Sequence, residues 1–177
     1  MVLNNMYLAQ SLESELSADV ALRPAAQHDR LLCETLFIEQ HQRPLVLAGW
    51  NDAQCRHYLQ SQFTMREQHL ATQYPCADHY MIVAEENEVG RMLINRQQNQ
   101  IQIVDMALLA SWCGRGIGAY LLSELCREAD ETKKPLALQV ACDNPAQRLY
   151  SRFGFEMNEE LDKEQGVYLN MRRAVAL

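Results

Sequence analysis

No run of lysines or arginines occurs anywhere in the chain, and its 16 basic residues are outnumbered by 23 acidic ones, for a formal net charge of −7. A surface that holds nucleic acid or an anionic membrane needs the opposite balance, so neither partner is expected. The six cysteines (33, 55, 76, 113, 126 and 142) form no Cys-x-x-Cys pair and no zinc-type spacing with the five histidines. They read as free thiols in a reducing compartment, with no metal expected. No apolar run approaches the roughly 20 residues of a membrane span, and the first ten residues lack the charged start and apolar core of a secretory signal. A cytoplasmic location is the default expectation. There is no repeat and no linker, and a chain of 177 residues that is 48% hydrophobic suits one globular domain.

Glycine is also scarce, yet three of the seven glycines fall within Cys113-Gly114-Arg115-Gly116-Ile117-Gly118-Ala119. Glycine lets a backbone turn sharply and approach a ligand, and the first amides of a helix point unbonded N–H groups outward. A strand, this stretch and a helix in succession would make a phosphate cradle. Arg115 adds a permanent charge and no acid opposes it, which favours a diphosphate. Gly114-x-Gly116-x-x-Ala119 also fits a dinucleotide fingerprint, and a glycine-rich turn that binds nothing has the same composition.

The rest of the chain supplies the frame. Residues 1–17 place Leu3, Leu8, Leu12 and Leu16 at loose helical spacing, a leader or short docking helix ahead of a domain over 18–177. Residues 20–24 read as a first strand closed by Pro24, and Leu32 and Leu36 share a face of a helix over 27–39. Pro44 and Gly49 bracket an expected loop. Asn51 or Asp52 then caps a helix through Leu59, Phe63 and Leu70 that stops near Tyr74-Pro75. Strands follow at 80–84 and 89–94, joined by a polar turn from Glu85, and at 101–109, where nearly continuous apolar character predicts cover on both faces.

After the cradle, Ile117, Leu121, Leu125 and Ala129 mark a buried helical stripe, and Pro135 precedes a strand over 136–141. Asp143-Asn144-Pro145 starts a helix with the stripe Ala146, Leu149, Tyr150 and Phe153, ended by Gly154. Residues 155–157 and 167–171 read as closing strands.

Residues 138–155 read Leu-Gln-Val-Ala-Cys-Asp-Asn-Pro-Ala-Gln-Arg-Leu-Tyr-Ser-Arg-Phe-Gly-Phe. This resembles the second signature of the GNAT superfamily of N-acetyltransferases, Leu-x-Val-x-x-x-Asn-x-x-Ala-x-x-Leu-Tyr-x-x-x-Gly-Phe. The superfamily's cradle, Arg/Gln-x-x-Gly-x-Gly/Ala, is matched at Gly116 and Gly118, with Cys113 where arginine or glutamine is usual. Leu22-Arg23-Pro24-Ala25 and Asp29 resemble its opening, so the likeness covers residues 20–173. A Rossmann domain fits less well, because too little chain follows the glycines for a second mononucleotide half.

The resemblance implies an α/β fold: a mixed, mostly antiparallel sheet of about seven strands with flanking helices, two central strands splaying apart to admit acetyl-CoA as co-substrate. It implies that the backbone of Met106, Ala107 and Leu108 takes the pantetheine arm. The amides of Gly114, Arg115, Gly116, Ile117, Gly118 and Ala119 would take the pyrophosphate, with Asn144 on the cofactor arm. The reaction implied is direct attack of a primary amine on the acetyl thioester in a ternary complex, with Tyr150 as general acid. Spacing alone favours Tyr150 as core and explains Asn144 as a helix cap.

An alkylammonium is free amine to only about one part in a thousand at neutral pH, so its proton must be removed. Some family members hold a glutamate where this chain has Gln139. Asp105, interrupting an apolar strand, is the candidate base, with a hydrogen-bonded structural carboxylate as the other reading. His79 ranks below it. Cys113 implies altered cofactor binding, or a reactive thiol near a helix start. The expected acceptor is a small amine, amino acid or antibiotic, ahead of a protein amine, and an acidic protein favours a cationic one. A catalytically silent acyl-CoA sensor is the competing reading, and a homodimer is left open.

Overall fold

The computed structural model describes residues 20–158 and 167–175. The expected leader at 1–17 lies outside them. Seven strands form one sheet: β1 (Val20–Pro24), β2 (Asp78–Ala84), β3 (Asn87–Arg96), β4 (Ile101–Leu108), β5 (Leu136–Ala141), β6 (Glu156–Met157) and β7 (Tyr168–Arg173). Their order is β1-β2-β3-β4-β5-β7-β6. All neighbours run antiparallel except β4 and β5.

That parallel pair defines the fold's central feature. Register partners are confined to Ile101↔Leu136, Gln102↔Ala137 and Ile103↔Leu138, although β4 continues to Leu108 and β5 to Ala141. Beyond Ile103, β4 pairs only with β3, so the two middle strands splay apart. One extra β4 residue is accommodated at the register shift between Leu93 and Ile94, a bulge of the kind that bends a strand and increases its twist. The β3–β4 approach is close at Gly90, where an added Cβ would lie 2.3 Å from the Ala107 carbonyl oxygen.

Helices cover the faces unequally. The four-residue period of α3 (Ile117–Thr132) buries Ile117, Leu121, Leu125 and Ala129 in one cluster with Ile94, Ile101, Leu136, Leu138 and Met171. Each such side chain, fully buried, is worth about 1.5–3 kcal/mol. On the other face, Cys33 and Phe37 of α1 (Arg30–Leu47) and Leu59 and Phe63 of α2 (Asp52–Gln73) pack on Met81. The short α4 (Gln147–Arg152) completes the set. Asn51 caps α2 by accepting from the Gln54 amide at 3.0 Å, as its sequence predicts.

Three expectations are corrected. The first helix does not yield to a loop at Pro44 but runs to Leu47. Pro44 removes one backbone donor, yet its carbonyl and that of Leu45 still accept the Ala48 amide at 3.0 and 3.1 Å, so the last turn closes around it. This helix also starts at Arg30 rather than Gln27, after a 3-10 turn over Gln27–Asp29. Here the buried Asp29 carboxylate accepts from the Ala26 amide (2.7 Å) and the Arg23 guanidinium (2.8 Å). Cover on both faces of β4 is partial: Ile101, Ile103 and Ala107 are buried, while Asp105, Met106 and Leu108 are half-buried.

Candidate active site

At the end of β4 the chain makes a 3-10 turn, Ala110–Trp112, and then two left-handed turns at Gly114 (φ 76°) and Gly116 (φ 87°). The second is the residue before α3, and no side chain caps that helix start. The Tyr120 amide donates to the Gly116 carbonyl at 2.9 Å. The amides of Ile117, Gly118 and Ala119 come one turn too early to find a carbonyl behind them. They are the unbonded donors that the glycine spacing predicts.

The cradle borders a cleft of about 780 Å³. It draws together Met106 and Leu108 of β4, Gly114, Gly116, Gly118 and Ala119 of the cradle, and Asn144, Leu149 and Tyr150 around α4. Ala107, Arg115 and Ile117 do not line it. Ala107 and Ile117 are buried, leaving only their backbone to a ligand, and the Arg115 guanidinium lies 4.3 Å over the Trp112 ring and 4.0 Å from Glu85. Asn144 acts locally as well, its Oδ1 accepting the Ala146 amide at 2.9 Å.

The cleft fits acetyl-CoA on three observations. The β4 edge facing β5 carries no ladder beyond Ile103, which leaves extended backbone for an amide-bearing arm. The unbonded amides sit at the positive end of a 16-residue helix, suited to a diphosphate. Met106, Leu108 and Leu149 supply apolar wall between them.

Tyr150 is 8% exposed and its ring stands edge-on to Phe155 at 5.9 Å. Burial, helped by the charge of Asp105, pushes its phenol up to about 12, so it is protonated at neutral pH. Its hydroxyl has no hydrogen-bond partner among the described residues.

Asp105 lies on the α2 side of the sheet. Its carboxylate accepts from Arg91 Nε at 2.6 Å and Arg66 Nη2 at 2.9 Å, and Arg91 Nη1 donates to Glu67 at 2.9 Å. Burial alone would raise the Asp105 carboxyl, but Arg91 and Arg66 outweigh it and hold the group below its ordinary range. His79 is lowered by burial and by Arg91, and its Nε2 lies 4.0 Å from the Cys33 sulfur. Gln139 is exposed and donates to Asn170 at 2.9 Å. Burial and Glu39 push the Cys113 thiol up, so the environment disfavours the reactive thiolate.

Glu39 and Gln40 of α1 also line the cleft, a contribution the sequence analysis misses. Glu39 accepts the Ala110 amide at 3.0 Å across 71 positions, a contact with no local signal. The Arg91–Asp105 pair had one: each charge interrupts an otherwise apolar strand.

Residues 77–157 match the family model described as the acetyltransferase (GNAT) domain. No curated protein matches the chain. Among solved structures, the PaiA N-acetyltransferase of Thermoplasma acidophilum in complex with coenzyme A is 14% identical, with a TM-score of 0.62 over 88% of this chain and 98% of that one. A GNAT family acetyltransferase of Elizabethkingia anophelis with acetyl-CoA bound is 14% identical, with a TM-score of 0.55 over 89% and 99%. A Corynebacterium glutamicum protein described as histone acetyltransferase HPA2 and related acetyltransferase is 20% identical, with a TM-score of 0.61 over 90% and 98%. The splayed sheet and the cradle at the start of α3 thus follow the fold of these acetyltransferases, and residues 77–157 are similar to the GNAT domain.

Proposed function

We propose that the protein transfers the acetyl group of acetyl-CoA to a primary amine by direct attack in a ternary complex. The observation that carries this reading is the shared cleft: helix-start amides at one end and, at the other, a protonated phenol without a hydrogen-bond partner among the described residues. The thioester supplies a carbonyl carbon that the amine nitrogen attacks, and the C–S bond breaks.

Met106, Ala107 and Leu108 hold the pantetheine arm through backbone groups, and residues 114–119 hold the pyrophosphate. Asn144 borders the arm. Tyr150 donates its proton to the departing sulfur. Asp105 holds Arg66 and Arg91 in place instead of taking the amine's proton. A carboxylate already bound by two guanidiniums, with a depressed pKa, is poorly matched to an ammonium near 10.4. The proton leaves to water before attack. The acceptor is a small amine or amino acid.

An acyl-CoA-binding module without turnover is the second reading. It is favoured by one observation: the only carboxylate lining the cleft among the described residues, Glu39, is held by the Ala110 amide.

Isothermal titration with acetyl-CoA, CoA and NAD, followed by thiol release over a panel of amines, tests the assignment. Binding of both CoA species without NAD, plus amine-dependent thiol release, supports the enzyme. Binding without release leaves the module, and failure of acetyl-CoA and CoA alike to bind removes both readings.

A further inference from the structure

Cavities lie beside both β4 and β5, one next to the cradle and one on the β5–β7 floor. The acetyl-CoA cleft occupies the α3–α4 side, and α1 and α2 cover β2 to β4 on the other. On that second side the floor of β5 and β7 carries no helix among the described residues. Leu136, Leu138, Val140 and Met171 point into the α3 core, so the alternation of strand side chains turns Gln139, Asn170 and Arg172 outward. They line a groove of about 470 Å³ with Gln100, Gln102 and Asn158. Its border with α2 is marked by Gln102 donating to the Tyr74 hydroxyl at 3.2 Å.

The chemistry of this groove is specific. Its lining contains five primary amides beside Arg172 among the residues just named and no carboxylate at all. Each amide side chain offers two donors and one acceptor, the complement of a peptide group. Arg172 is exposed and has no ion-pair partner among the described residues. Charges nearer α2 are already matched: Arg66 and Arg91 with Asp105 and Glu67. Glu156 stands across from Arg172 in the β6–β7 register but does not line the groove, so among the described residues Arg172 is the one charged group in the lining. It acts at contact range, whereas the net negative charge of the whole chain is screened over about 8–10 Å.

Register fixes the spacing. Gln139 pairs with Asn170 just past the last β4–β5 contact, and Arg172 pairs with Ala137, farther from the opening. Two residues along a strand span about 7 Å, close to the length of an extended dipeptide.

We infer that the acceptor is a zwitterion of dipeptide size, its amine at the β4–β5 opening, its peptide group on the amide floor and its carboxylate on Arg172. This inference rests on the acetyltransferase reading and narrows its acceptor. It also reverses the expectation, drawn from net charge, of a purely cationic amine.

The test uses the whole protein with three probes: glycylglycine, glycylglycinamide, which lacks the carboxylate, and putrescine. Thiol release from acetyl-CoA and calorimetric binding to the CoA-loaded protein are measured for wild type and Arg172→Gln. Glycylglycine is expected to be the best acceptor. Arg172→Gln should raise its KM by about tenfold or more, the effect of losing one charge-assisted contact, with kcat and acetyl-CoA affinity unchanged and the advantage over glycylglycinamide gone. A preference for putrescine, or equal KM values in the two proteins, overturns the inference. If no probe is acetylated, glycylglycine binding that Arg172→Gln abolishes upholds the groove while the enzymatic reading fails. CoA-loaded protein that binds no glycylglycine removes the groove.

Discussion

Replacing Asp105 with asparagine should be among the most damaging single changes in the sheet. The carboxylate holds Arg91, whose side chain is 3% exposed, through a 2.6 Å contact, and also holds Arg66. Asparagine keeps one acceptor oxygen but turns an NH₂ group toward guanidinium donors, leaving the buried Arg91 with Glu67 as its one remaining carboxylate partner among the described residues. Removing one partner of a buried ion pair costs about 3–5 kcal/mol. At roughly 2–4 °C per kcal/mol for a chain of this size, the melting temperature should fall by about 6–20 °C.

The paired replacement Asp105→Leu with Arg91→Met should recover most of that loss, since well-packed apolar residues commonly replace a buried pair at little cost. Arg66 and Glu67, 31% and 25% exposed, can turn toward water. Acid sensitivity gives a second reading of the same pair. The folded-state pKa of Asp105 is depressed, so its stabilisation is complete above the unfolded value of about 3.9 and is lost as pH falls through the folded value. Urea titrations followed by circular dichroism at pH 7 and at about pH 3 measure both effects. A single-variant loss below about 1 kcal/mol, or a double variant no better than the single, would refute the account of a buried, mutually dependent network.

Tyr150→Phe should fold normally, because the ring packs on Phe155 and the hydroxyl has no partner among the described residues to lose, while kcat drops by about 10²-fold or more with acetyl-CoA affinity retained. In the wild type, kcat/KM for an alkylamine should rise about tenfold per pH unit from 7 toward the amine's own pKa, then fall as the phenol deprotonates near 12; a plateau with an inflection between pH 4 and 7 would instead reveal a side-chain base. Gly116→Ala forces a Cβ into a left-handed residue and should cost about 1–2 kcal/mol and weaken CoA binding in calorimetry. Gly118→Ala, whose Cβ meets Leu149 at an ordinary 3.5 Å, should leave the melting temperature nearly unchanged. In the β2–β3 hairpin, Glu85 and Glu86 hold φ values of 49° and 63°, so Glu85→Asn with Glu86→Gly should raise stability by about 1 kcal/mol in urea melts.

The parts of the site that lie close together in sequence were the legible ones. Glycines at 114, 116 and 118 ahead of a four-residue apolar period announced a helix start with unbonded amides, and Asn144 and Tyr150 stood in one contiguous phrase. What escaped were contacts made by distant segments: Glu39 on Ala110, Arg66 on Asp105, and the amide floor that only the β5–β7 register assembles. Pro44 misled because, with Gly49, it reads as the bracket of a loop, whereas the helix runs past it and the Ala48 amide closes the end on the Pro44 and Leu45 carbonyls. The end of β4–β5 pairing at Ile103 coincides with the extra β4 residue at Val104, a bulge with no signal in the sequence. The resemblance implied it, and composition did not.

A sheet parted at its middle has consequences for the order of events. If the amine enters from the face opposite acetyl-CoA, as proposed, neither reactant blocks the other's entrance, and each product can withdraw the way its precursor came. Release of the thiol therefore need not precede arrival of the amine. Double-reciprocal plots against the two substrates should intersect instead of running parallel, and CoA added as product should compete with acetyl-CoA while leaving the amine's site open.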